Sequence, residues 1–569
     1  MERSPTRAHF VDRLAVGRRL GVPTLSGARA RPVPTGPLPI LAVVEERAPG
    51  RRLAWSTAIF SLATGLSRLL GLVREIVAAY YFGAAGKINA FTVAFQVPNL
   101  IRSLVADAAL SSAFVPVFSE LLEKGEKKRA WRVASTLFWL LLLGLGGLVA
   151  LLIVFAPIII APFGDPGGDK ELAITLSRIL FPIVVLLGVS GIIVGILNSY
   201  EHFTVPALTP VFWNLAIIAG LVLGVPKADT IDTKLYVYAV SIVIGTVIQV
   251  LLPIPWLRGL DDRLRVVVDW RDPAVARVFV LMIPVTLGLG LINVNALIDG
   301  IFAAQLIDAN IAPSAINAAF RIYMLPQGMF SVAVATVLFP RLSRLATRGD
   351  IDGFRSTVSM GLGQIGFLLL PASAVGAALA IPIVRLIYER GAFTPDQTHV
   401  VAGAFAAFTL GLTFNGTMLM LTRAFFSLQS PWVPTAIALG NLGVNAALDA
   451  AFYRYGVWGI PLATSFVNMA GTAALIIVFR RRIGRMDGRA LLHSYSRIIV
   501  ASAVAAGVAA AVWYGLDQLL GRGLFAQIVT VGAGLASAVA AYLLCARLLK
   551  IRELRAVLSL RRRSGTTGK

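Results

Sequence analysis

Arginines and one glutamate interrupt the long apolar stretches of this chain, and their chemistry is that of anion binding. Arg68, Arg74 and Glu75 lie in the first stretch, Arg102 in the second and Arg321 in the eighth. On a helix Arg68 and Glu75 share one face, and Arg74 lies about 100° from Glu75. Guanidinium groups bind phosphate oxygens in a bidentate manner. The set predicts a cationic cavity that binds phosphate. The alternative is that some of the arginines extend to the membrane surface or only hold helices together.

Oxygen-bearing side chains form a second set that has no basic residue beside it. Asn441, Asn445 and Asp449 recur at every fourth position and would form one stripe on a helix. Asp299 lies in an earlier apolar stretch, and Thr464 begins the stretch that follows. Carboxylate, amide and hydroxyl oxygens suit a hard cation such as Na⁺. Hydrogen bonding between helices is the alternative interpretation.

Motifs for catalysis are missing from the sequence, which has no Walker loop, no Gly-x-Ser-x-Gly and no His-Glu-x-x-His. Cys545 is the single cysteine and the four histidines are scattered, so neither an internal disulfide nor a zinc or iron–sulfur site is expected. We therefore expect a protein that is not an enzyme and does not hydrolyse ATP. Active transport would have to use an ion gradient or the membrane potential. No organic cofactor is expected, and Na⁺ and Cl⁻ are the candidate ions.

The composition is that of a polytopic membrane protein. Of the 569 residues, 57% are hydrophobic and 14% are charged, and the mean hydropathy is +0.78. Soluble domains average about 45–50% apolar and about 25% charged residues. A soluble globular protein, a disordered chain and a fibrous repeat are therefore excluded for the whole sequence.

Stretches of the roughly 20 apolar residues that a membrane-spanning helix needs occur fourteen times after Leu53. Thirteen or fifteen spans are the alternatives, because the second and eighth stretches are long enough to be divided. The predicted spans are 54–82, 89–121, 131–158, 172–199, 206–225, 235–256, 273–304, 314–342, 356–386, 398–427, 433–453, 457–479, 494–516 and 523–549.

Lysines and arginines concentrate in the loops that follow even-numbered spans. Examples are Lys127-Lys128-Arg129 after the second span and Arg480-Arg481-Arg482 after the twelfth. Basic loops stay in the cytoplasm, so both termini are predicted to be cytoplasmic. The net charge of +23 then reflects these loops, and nucleic-acid binding is not expected. Residues 1–52 are predicted to be a disordered basic extension, and 550–569 a basic cytoplasmic tail.

An internal duplication is visible in two sequence echoes. The pattern Pro-x-x-Ser-x-Leu-x-x-x-Gly begins at Pro116 and again at Pro340, 224 residues later. A Val-Pro pair that precedes an Asn-Leu pair recurs at an offset of about 228, with Asn214 and Asn441 in equivalent places. Six spans separate the copies, so the halves have the same orientation, as in transporters built from parallel repeats.

The duplication predicts an N-lobe of six spans over 53–256, a C-lobe of six spans over 257–480, and an extra pair of spans over 481–549. Two lobes around a central cavity are the usual arrangement for alternating access. Bent helices, which such motion needs, are expected at four prolines and one glycine: Pro98, Pro116, Pro326, Pro340 and Gly328.

Four distinctive segments follow one another in the first two spans: SRLLGLVRE at 67–75, Phe82-Gly83, VPNLIR at 97–102 and LSSAFVP at 110–116. In this order they resemble the MurJ/MviN family, lipid II flippases of the MOP exporter superfamily. The likeness extends over about 54–549. It implies an all-α polytopic protein with two six-helix lobes and a C-terminal helix pair that forms a groove for the polyprenyl tail.

The resemblance also implies an activity and its residues. Undecaprenyl-diphosphate-linked disaccharide-pentapeptide would move from the cytoplasmic to the outer leaflet of the bacterial inner membrane. Partners would be lipid II, membrane lipids and proteins of cell-wall synthesis or division. The substrate residues would be Arg68, Arg74, Glu75, Arg102 and Arg321, and the Na⁺ ligands Asp299, Asn445, Asp449 and Thr464.

Three departures and three rival functions accompany the resemblance. Glu75 stands where Asp is common, Asn89 where many members have Asp, and Asp107-Ala108 where Glu-Gly is frequent. The rivals are another exporter of the superfamily, for lipid-linked oligosaccharides or for drugs, and a non-transporting membrane scaffold. A polyprenyl-linked glycosyltransferase would need catalytic carboxylates in a large loop, and no loop is long enough.

Overall fold

The computed structural model of the protein describes residues 51–105, 109–484 and 488–554. The chain divides into two units, Met1–Ala54 and Trp55–Lys569, and all that follows concerns the described part of the second. The predicted extension over 1–52 lies almost wholly outside the described residues, as do Asp107-Ala108 and most of the tail over 550–569. Every regular element of the described residues is helical.

The first half of the chain forms the helices α1 to α9. They are α1 (Arg51–Phe82), α2 (Ile88–Val105), α3 (Ala109–Glu123), α4 (Lys127–Val154), α5 (Ala156–Ile160), α6 (Lys170–Leu180), α7 (Pro182–Ser199), α8 (Thr204–Ala219) and α9 (Ile231–Leu251).

The second half forms the helices α10 to α19. They are α10 (Pro273–Phe302), α11 (Ala312–Pro326), α12 (Val332–Arg348), α13 (Ile351–Ala378), α14 (Ala380–Tyr388), α15 (Pro395–Ser427), α16 (Trp432–Phe452), α17 (Gly459–Ile483), α18 (Gly488–Leu520) and α19 (Leu524–Leu548).

Within the described ranges, 11 helices are long and apolar enough to cross a membrane. Shorter apolar helices, Ile88–Ile101, Pro273–Ile283 and Asn293–Ile307, lie in the predicted second and seventh spans. The all-helical, multi-pass membrane fold is confirmed, whereas the count of fourteen spans stays a prediction.

Several helices begin where a short polar side chain caps the free backbone N–H groups of the first turn. The Asp169 carboxylate accepts from the amide of Leu172 at the start of α6, and the Asp350 carboxylate accepts from Gly353 at the start of α13. The Thr394 hydroxyl caps α15 in the same way. These caps fix the helix starts within a few residues of the predicted spans.

The two copies of the Pro-Ser-Leu-Gly pattern have the same local structure. Gly125 follows α3 with φ +76° and Gly349 follows α12 with φ +68°. In both copies the residue after the glycine donates its amide to a carbonyl five residues back, that of Leu121 or Leu345. This is the usual glycine-terminated helix end, so the sequence echo reflects a repeated structural unit.

A bend near Pro326 and Gly328 stays a prediction, but the helix is irregular at this place. The helical path changes there to a π-helical turn, Gln327–Ser331, between α11 and α12. Pro98, Pro116 and Pro340 lie inside helices that continue past them. A proline removes one backbone hydrogen bond and crowds the preceding turn, and the π turn accommodates this at Pro326.

Three large apolar cores and a small one around Val189, Ile193 and Val250 hold the described helices together. One is built from the first half together with Ala274, Val275 and Val278 of α10. Another joins α11 to α17. The third packs α18 and α19 against α13, where the Tyr542 hydroxyl donates to the carbonyl of Phe367 at 2.6 Å. The polyprenyl groove over 481–549 stays a prediction.

Ion pairs between loops support the predicted alternation of loops between the two faces. Lys127, after the second span, pairs with Asp261, after the sixth, at 2.7 Å. At the other end Lys87, after the first span, pairs with Asp169 at 2.9 Å and with Asp232 at 2.7 Å. Loops after even-numbered spans therefore share one face, and loops after odd-numbered spans share the other.

Lys87→Met is expected to lower the thermal stability of the purified protein at neutral pH, because Asp169 and Asp232 would then face each other without a cation. The hydrogen bonds to Asp232 and Asp169 raise the pKa of Lys87 to about 12. The hydrogen bond from Lys87 lowers the pKa of Asp169 below its ordinary 3.8. Melting curves across pH, with the exposed Lys170→Met as control, measure the effect.

The pH dependence of this difference has a definite sign. The contribution of Lys87 is complete below 10.5 and is lost as the pH rises through about 12. The contribution of Asp169 is complete above 3.8 and is lost as the pH falls through its lowered pKa. Wild type and variant should therefore differ most between about pH 4 and 10. A difference that grows in acid would contradict this account.

Candidate functional site

A buried arginine on α1 forms the centre of the first candidate site. Arg74, 9% exposed, pairs through Nη2 with Glu75 Oε1 at 2.5 Å. Its Nη1 donates to Asn214 Oδ1 at 3.2 Å, and its guanidinium carbon lies 4.7 Å from the ring centre of Trp213. Both of these partners belong to α8. The guanidinium is thus held by charge, hydrogen bond and cation–π contact.

The second half of the chain contributes another arginine to the same carboxylate. Arg321 on α11 places Nε 3.8 Å from Glu75 Oε1 and donates to Asn317 Oδ1 at 3.3 Å. Glu75 therefore lies between two guanidinium groups that come from the two halves of the bundle. One carboxylate leaves a net positive charge on this trio.

The trio lines a cavity between the two halves. The cavity encloses about 770 Å³ of empty space, its open mouth included. Its polar lining comes from both halves, and aromatic rings surround it: Arg74, Glu75, Thr92, Ser314, Asn317 and Arg321, with Phe91, Phe95, Trp213, Tyr238, Tyr388 and Phe393. A charged centre with apolar walls strengthens electrostatic attraction for an anion.

The structure brings together three of the five predicted substrate residues, namely Arg74, Glu75 and Arg321. Arg68 precedes Arg74 on α1 by between one and two helical turns. Its Nη1 lies 3.4 Å from the position that a Cβ on Gly328 would take. Arg102 belongs to α2, but its side chain is outside the described part of the structure. The cationic cavity follows from the three residues that meet.

Two functional partners were missed by the sequence reasoning. Asn214 entered it only as the echo of Asn441, and Trp213 did not enter it at all. Trp213 and Asn214 lie 139 and 140 positions after Arg74, so no helical spacing links them to it. The one feature of the sequence that could have pointed to them is a tryptophan followed by an asparagine inside an apolar span.

Asn214→Leu is expected to lower the stability of the purified protein by about 1–3 kcal/mol, because the buried Arg74 loses an acceptor that nothing replaces. Asn214 also donates to the carbonyls of Pro210 and Ser67, so it ties α8 to α1. Denaturation followed by tryptophan fluorescence measures the change. Leu215→Ala, at the next and exposed position, is the control, and equal losses would contradict the role of Asn214.

One end of the cavity is closed by main-chain contacts between the halves. The amide of Ala84 donates to Gln397 Oε1 at 2.7 Å, and the amide of Ala392 donates to the carbonyl of Tyr80 at 2.8 Å. Asn89 donates to the carbonyl of Asn310 at 2.5 Å. We call these contacts the loop seam. It lies at the face that carries the loops after odd-numbered spans.

Asn89 is a structural anchor of the loop seam. It is fully buried. Besides its bond to Asn310, it donates to Ala84 and Gly86 carbonyls and accepts from the amide of Ser314 at 2.9 Å. An amide can donate and accept at once, which a carboxylate cannot do. Toward the opposite face Arg68 is exposed and lies beside Gly328.

The second candidate site lies where α10 and α16 meet. Asn445 donates to Asp299 Oδ1 at 2.6 Å and to Asp449 Oδ2 at 2.8 Å. Asn295 adds a longer contact to Asp299 at 3.3 Å. Thus the structure assembles three of the four predicted Na⁺ ligands. The Thr464 hydroxyl donates instead to the carbonyl of Ile460 in its own helix.

The donor set fits a monovalent hard cation. Asn445 Oδ1 and Asp449 Oδ1 are buried and have no hydrogen-bond partner among the described residues, and two carboxylates without a basic partner leave negative charge in the bundle. No group of three or more His, Cys, Asp and Glu side chains comes together in the described ranges. Asn441, the third residue of the stripe, points to Met418 Sδ instead.

Known proteins match the chain along most of its length. The family described as lipid II flippase MurJ matches residues 78–548. The probable lipid II flippase MurJ of Vibrio cholerae serotype O1 is 32% identical over 435 residues, 74% of this chain and 82% of that protein. The lipid II flippase MurJ of Burkholderia cenocepacia is 30% identical over 462 residues, 78% of this chain and 87% of that protein.

Solved structures share the fold. A lipid II flippase MurJ in an inward closed conformation has a TM-score of 0.71 and 25% identity, covering 86% of this chain and 99% of that one. An inward-facing multidrug resistance MATE family transporter of the MOP superfamily has a TM-score of 0.63 at 15% identity, covering 75% and 95%. The latter shows the common fold alone. The family match over residues 78–548, together with the relatives aligned over most of both chains, shows that this chain belongs to the MurJ family of lipid II flippases.

Proposed function

We propose that this protein moves lipid II, the undecaprenyl-diphosphate-linked peptidoglycan precursor, from the cytoplasmic to the outer leaflet of the bacterial inner membrane by alternating access. The observation that carries the proposal is the convergence of Arg74 and Arg321, from opposite halves of the bundle, on Glu75 in one cavity. Membership of the family supports the lipid II substrate. Both termini would be cytoplasmic.

The diphosphate would bind to the guanidinium groups of Arg74 and Arg321, which offer donors in the geometry that phosphate oxygens accept. Asn214 and Trp213 would keep Arg74 in place during binding. Arg68, which is exposed, would meet the headgroup first. The polyprenyl tail would remain in the lipid, since only the headgroup is costly to move through hydrocarbon.

Glu75 would serve the empty transporter. When no anion is bound, its carboxylate compensates both guanidinium groups, that of Arg74 on the same helix at 2.5 Å and that of Arg321 at 3.8 Å, and the second contact draws the halves together. When a diphosphate arrives, these guanidinium groups have a second anionic partner and are less dependent on Glu75. Substrate binding would thereby change the interaction between the halves, which is the requirement for a ligand-driven shift between conformations.

Outward opening would require the loop seam to break. Its bonds join main-chain and amide groups rather than charges, such as Ala84 to Gln397 and Ala392 to Tyr80. Each is worth only about 0.5–1.5 kcal/mol net, so the seam can open when the opposite end closes. Alternation between these two closures would expose the cavity to one leaflet at a time.

The experiment that tests the function is complementation in a bacterium depleted of its own lipid II flippase. Wild type should restore growth, and Arg74→Ala and Arg321→Ala should fail although they insert normally, as seen by blotting. Arg348→Ala, exposed at the end of α12, is the matched control and should restore growth. Rescue by all variants would refute the site. Failure of an inserted wild type would favour another lipid-linked oligosaccharide as substrate.

Na⁺ or the membrane potential would bias the cycle. Asp299, Asn445 and Asp449, with Thr464 within reach of the same helix pair, would hold Na⁺ and supply a positive charge between the carboxylates. Cl⁻ would be attracted to the arginine cavity by the same charge that attracts phosphate. Proteins of cell-wall synthesis or division would be the protein partners, and they would act on the product.

Na⁺ is expected to raise the melting temperature of the wild-type protein in detergent, and Asp449→Asn should remove most of this effect because it deletes one of the two charges. A cation at 100 times its dissociation constant stabilises the folded state by about 2.7 kcal/mol. K⁺ and choline at equal ionic strength are the controls. Equal shifts with all three cations, or an undiminished shift in Asp449→Asn, would contradict a Na⁺ site.

A further inference from the structure

The segment that joins the two halves, residues 258–272, runs along the side of α4. The amide of Arg265 donates to Ser135 Oγ at 3.1 Å, and the Trp139 indole donates to the carbonyl of Arg265 at 2.9 Å. The amide of Asp269 donates to Thr136 Oγ1 at 3.0 Å. We call residues 258–272 the connecting strap.

The depth of these contacts places the connecting strap at the membrane boundary. Helix α4 has 28 residues, a length of about 42 Å at roughly 1.5 Å per residue, whereas the hydrocarbon layer is about 30 Å thick. Ser135 and Trp139 lie about 12 and 18 Å from the start of α4 by the same rise. A segment bonded there lies where headgroups meet acyl chains and not in the open aqueous phase.

Two acidic side chains of the connecting strap face the protein. Asp261 pairs with Lys127 at 2.7 Å and accepts from the Tyr200 hydroxyl at 2.8 Å. Asp272 accepts two bonds from Arg129 at 2.9 and 3.0 Å. These bonds hold the pKa of both carboxylates below the usual range, so these two negative charges are compensated by the first half of the bundle. Asp262 is paired within the strap, with Arg265 at 3.0 Å.

Apolar and basic side chains of the connecting strap face outward. Val266, Val268 and Trp270 occupy alternate positions of the connecting strap and are 80%, 45% and 66% exposed. Three exposed arginines accompany them, Arg258, Arg263 and Arg271, and the last lies over the ring of Trp270 at 5.5 Å. The two sides of the strap therefore differ in charge as well as in polarity.

We propose that the connecting strap is a binding surface for anionic phospholipid headgroups, with Val266, Val268 and Trp270 in the headgroup–acyl boundary and the arginines on the phosphates. Tryptophan and arginine are favoured at this depth, and basic side chains are attracted to an anionic leaflet. A nucleic acid or a soluble protein would have to displace lipid to reach the same side chains.

Lipid binding at the connecting strap would reach the transport machinery through α10. The strap leads directly into this helix, which begins at Pro273 and carries Asp299. Arg277, in the second turn of α10, pairs with Glu120 of α3 at 2.7 Å. Holding the strap at the bilayer surface thus holds the start of α10 against the first half of the bundle.

Spin labelling of the full chain in liposomes tests the proposal. Because Cys545 is the single cysteine, Cys545→Ser provides a background for one nitroxide at Val266→Cys or, as the matched control, at the exposed Lys128→Cys. We expect the label at 266 to collide more with oxygen than with a water-soluble nickel complex, and the label at 128 to do the reverse. Adding phosphatidylglycerol to phosphatidylcholine should slow the motion of the label at 266 only.

Replacement of Arg258, Arg263 and Arg271 by glutamine should abolish the response to phosphatidylglycerol while the label at 266 stays in the lipid. High salt should weaken the response of the unmodified strap, because exposed charges are screened. A label at 266 that is as accessible to nickel as the label at 128 would overturn the proposal. The headgroup binding would be overturned if the label at 266 lies in lipid but its motion is unchanged by phosphatidylglycerol, both with the original arginines and in the glutamine variant.

Discussion

Gly83→Ala is expected to abolish complementation, because the substitution forces the loop seam apart. Gly83 has φ +68°, and a Cβ there would lie 2.7 Å from the carbonyl oxygen of Ala392 and 2.8 Å from Gln397 Oε1. The clash involves backbone on the opposite half, which cannot move by a side-chain rotation. Such overpacking costs about 1–3 kcal/mol, which corresponds to a shift of roughly 5- to 150-fold in the closed population.

Gly86→Ala separates this clash from backbone strain. Gly86 is in the same loop and has φ +76°, but no atom lies within 4 Å of its Cβ position. Both alanines bear the roughly 1–2 kcal/mol cost of a left-handed conformation, and only Gly83→Ala meets the opposite half. We therefore expect Gly86→Ala to restore growth and to leave the contacts of the loop seam unchanged.

Labelling of a buried position reports the seam directly. Ser314 is 7% exposed, lines the cavity and bonds to Asn89 and Thr92. In a Cys545→Ser background, Ser314→Cys should be protected from a membrane-impermeant maleimide added outside the cell. Protection should be lost with Gly83→Ala and kept with Gly86→Ala. Equal protection in both would show that the seam tolerates the extra methyl group.

Glu75→Leu is the second substitution from which we expect a large effect, on both stability and transport. It removes the anion between Arg74 and Arg321 and leaves a guanidinium that is 9% exposed without its charge partner. Removing one member of a buried ion pair typically costs about 3–5 kcal/mol. Thermal unfolding of the purified variant measures the loss, and complementation should fail.

Glu75→Asp is the matched control, since it keeps the charge and changes only the reach of the side chain. It should retain most of the stability and restore growth. Added pyrophosphate should stabilise Glu75→Leu more than wild type, because the freed guanidinium groups then bind the anion without competition from the carboxylate. A Glu75→Leu protein as stable as Glu75→Asp, with no response to pyrophosphate, would contradict the proposed role of Glu75.

The positions of the helices along the chain could be predicted almost completely. A hydrophobic run of sufficient length is a local property, and α15 (Pro395–Ser427) matches the predicted 398–427 because Thr394 caps it and its last turn precedes Gln429, a residue with φ +53°. Likewise the Pro-Ser-Leu-Gly pattern led to a repeated helix end at Gly125 and Gly349. These features depend on residues that are neighbours in sequence.

The three charged residues that meet in the cavity were also predictable as candidates, because burying charge in a membrane is costly wherever it occurs. That argument selects Arg74, Glu75 and Arg321 without reference to their neighbours. It does not say which of them meet. The same limit applies to Thr464, whose hydroxyl bonds to its own helix although its residue type suits the cation site.

The sequence by itself determined the membrane class, the approximate positions of most helices, the repeated helix end and the candidate charged residues, because each follows from the composition or spacing of short segments. Only the tertiary structure decided that Trp213 and Asn214 hold Arg74, that Asn89 ties the loop seam, and that Val266 faces outward. These contacts depend on how each helix is rotated against its neighbours. Packing of the whole bundle sets that rotation, and no periodicity within a single segment encodes it.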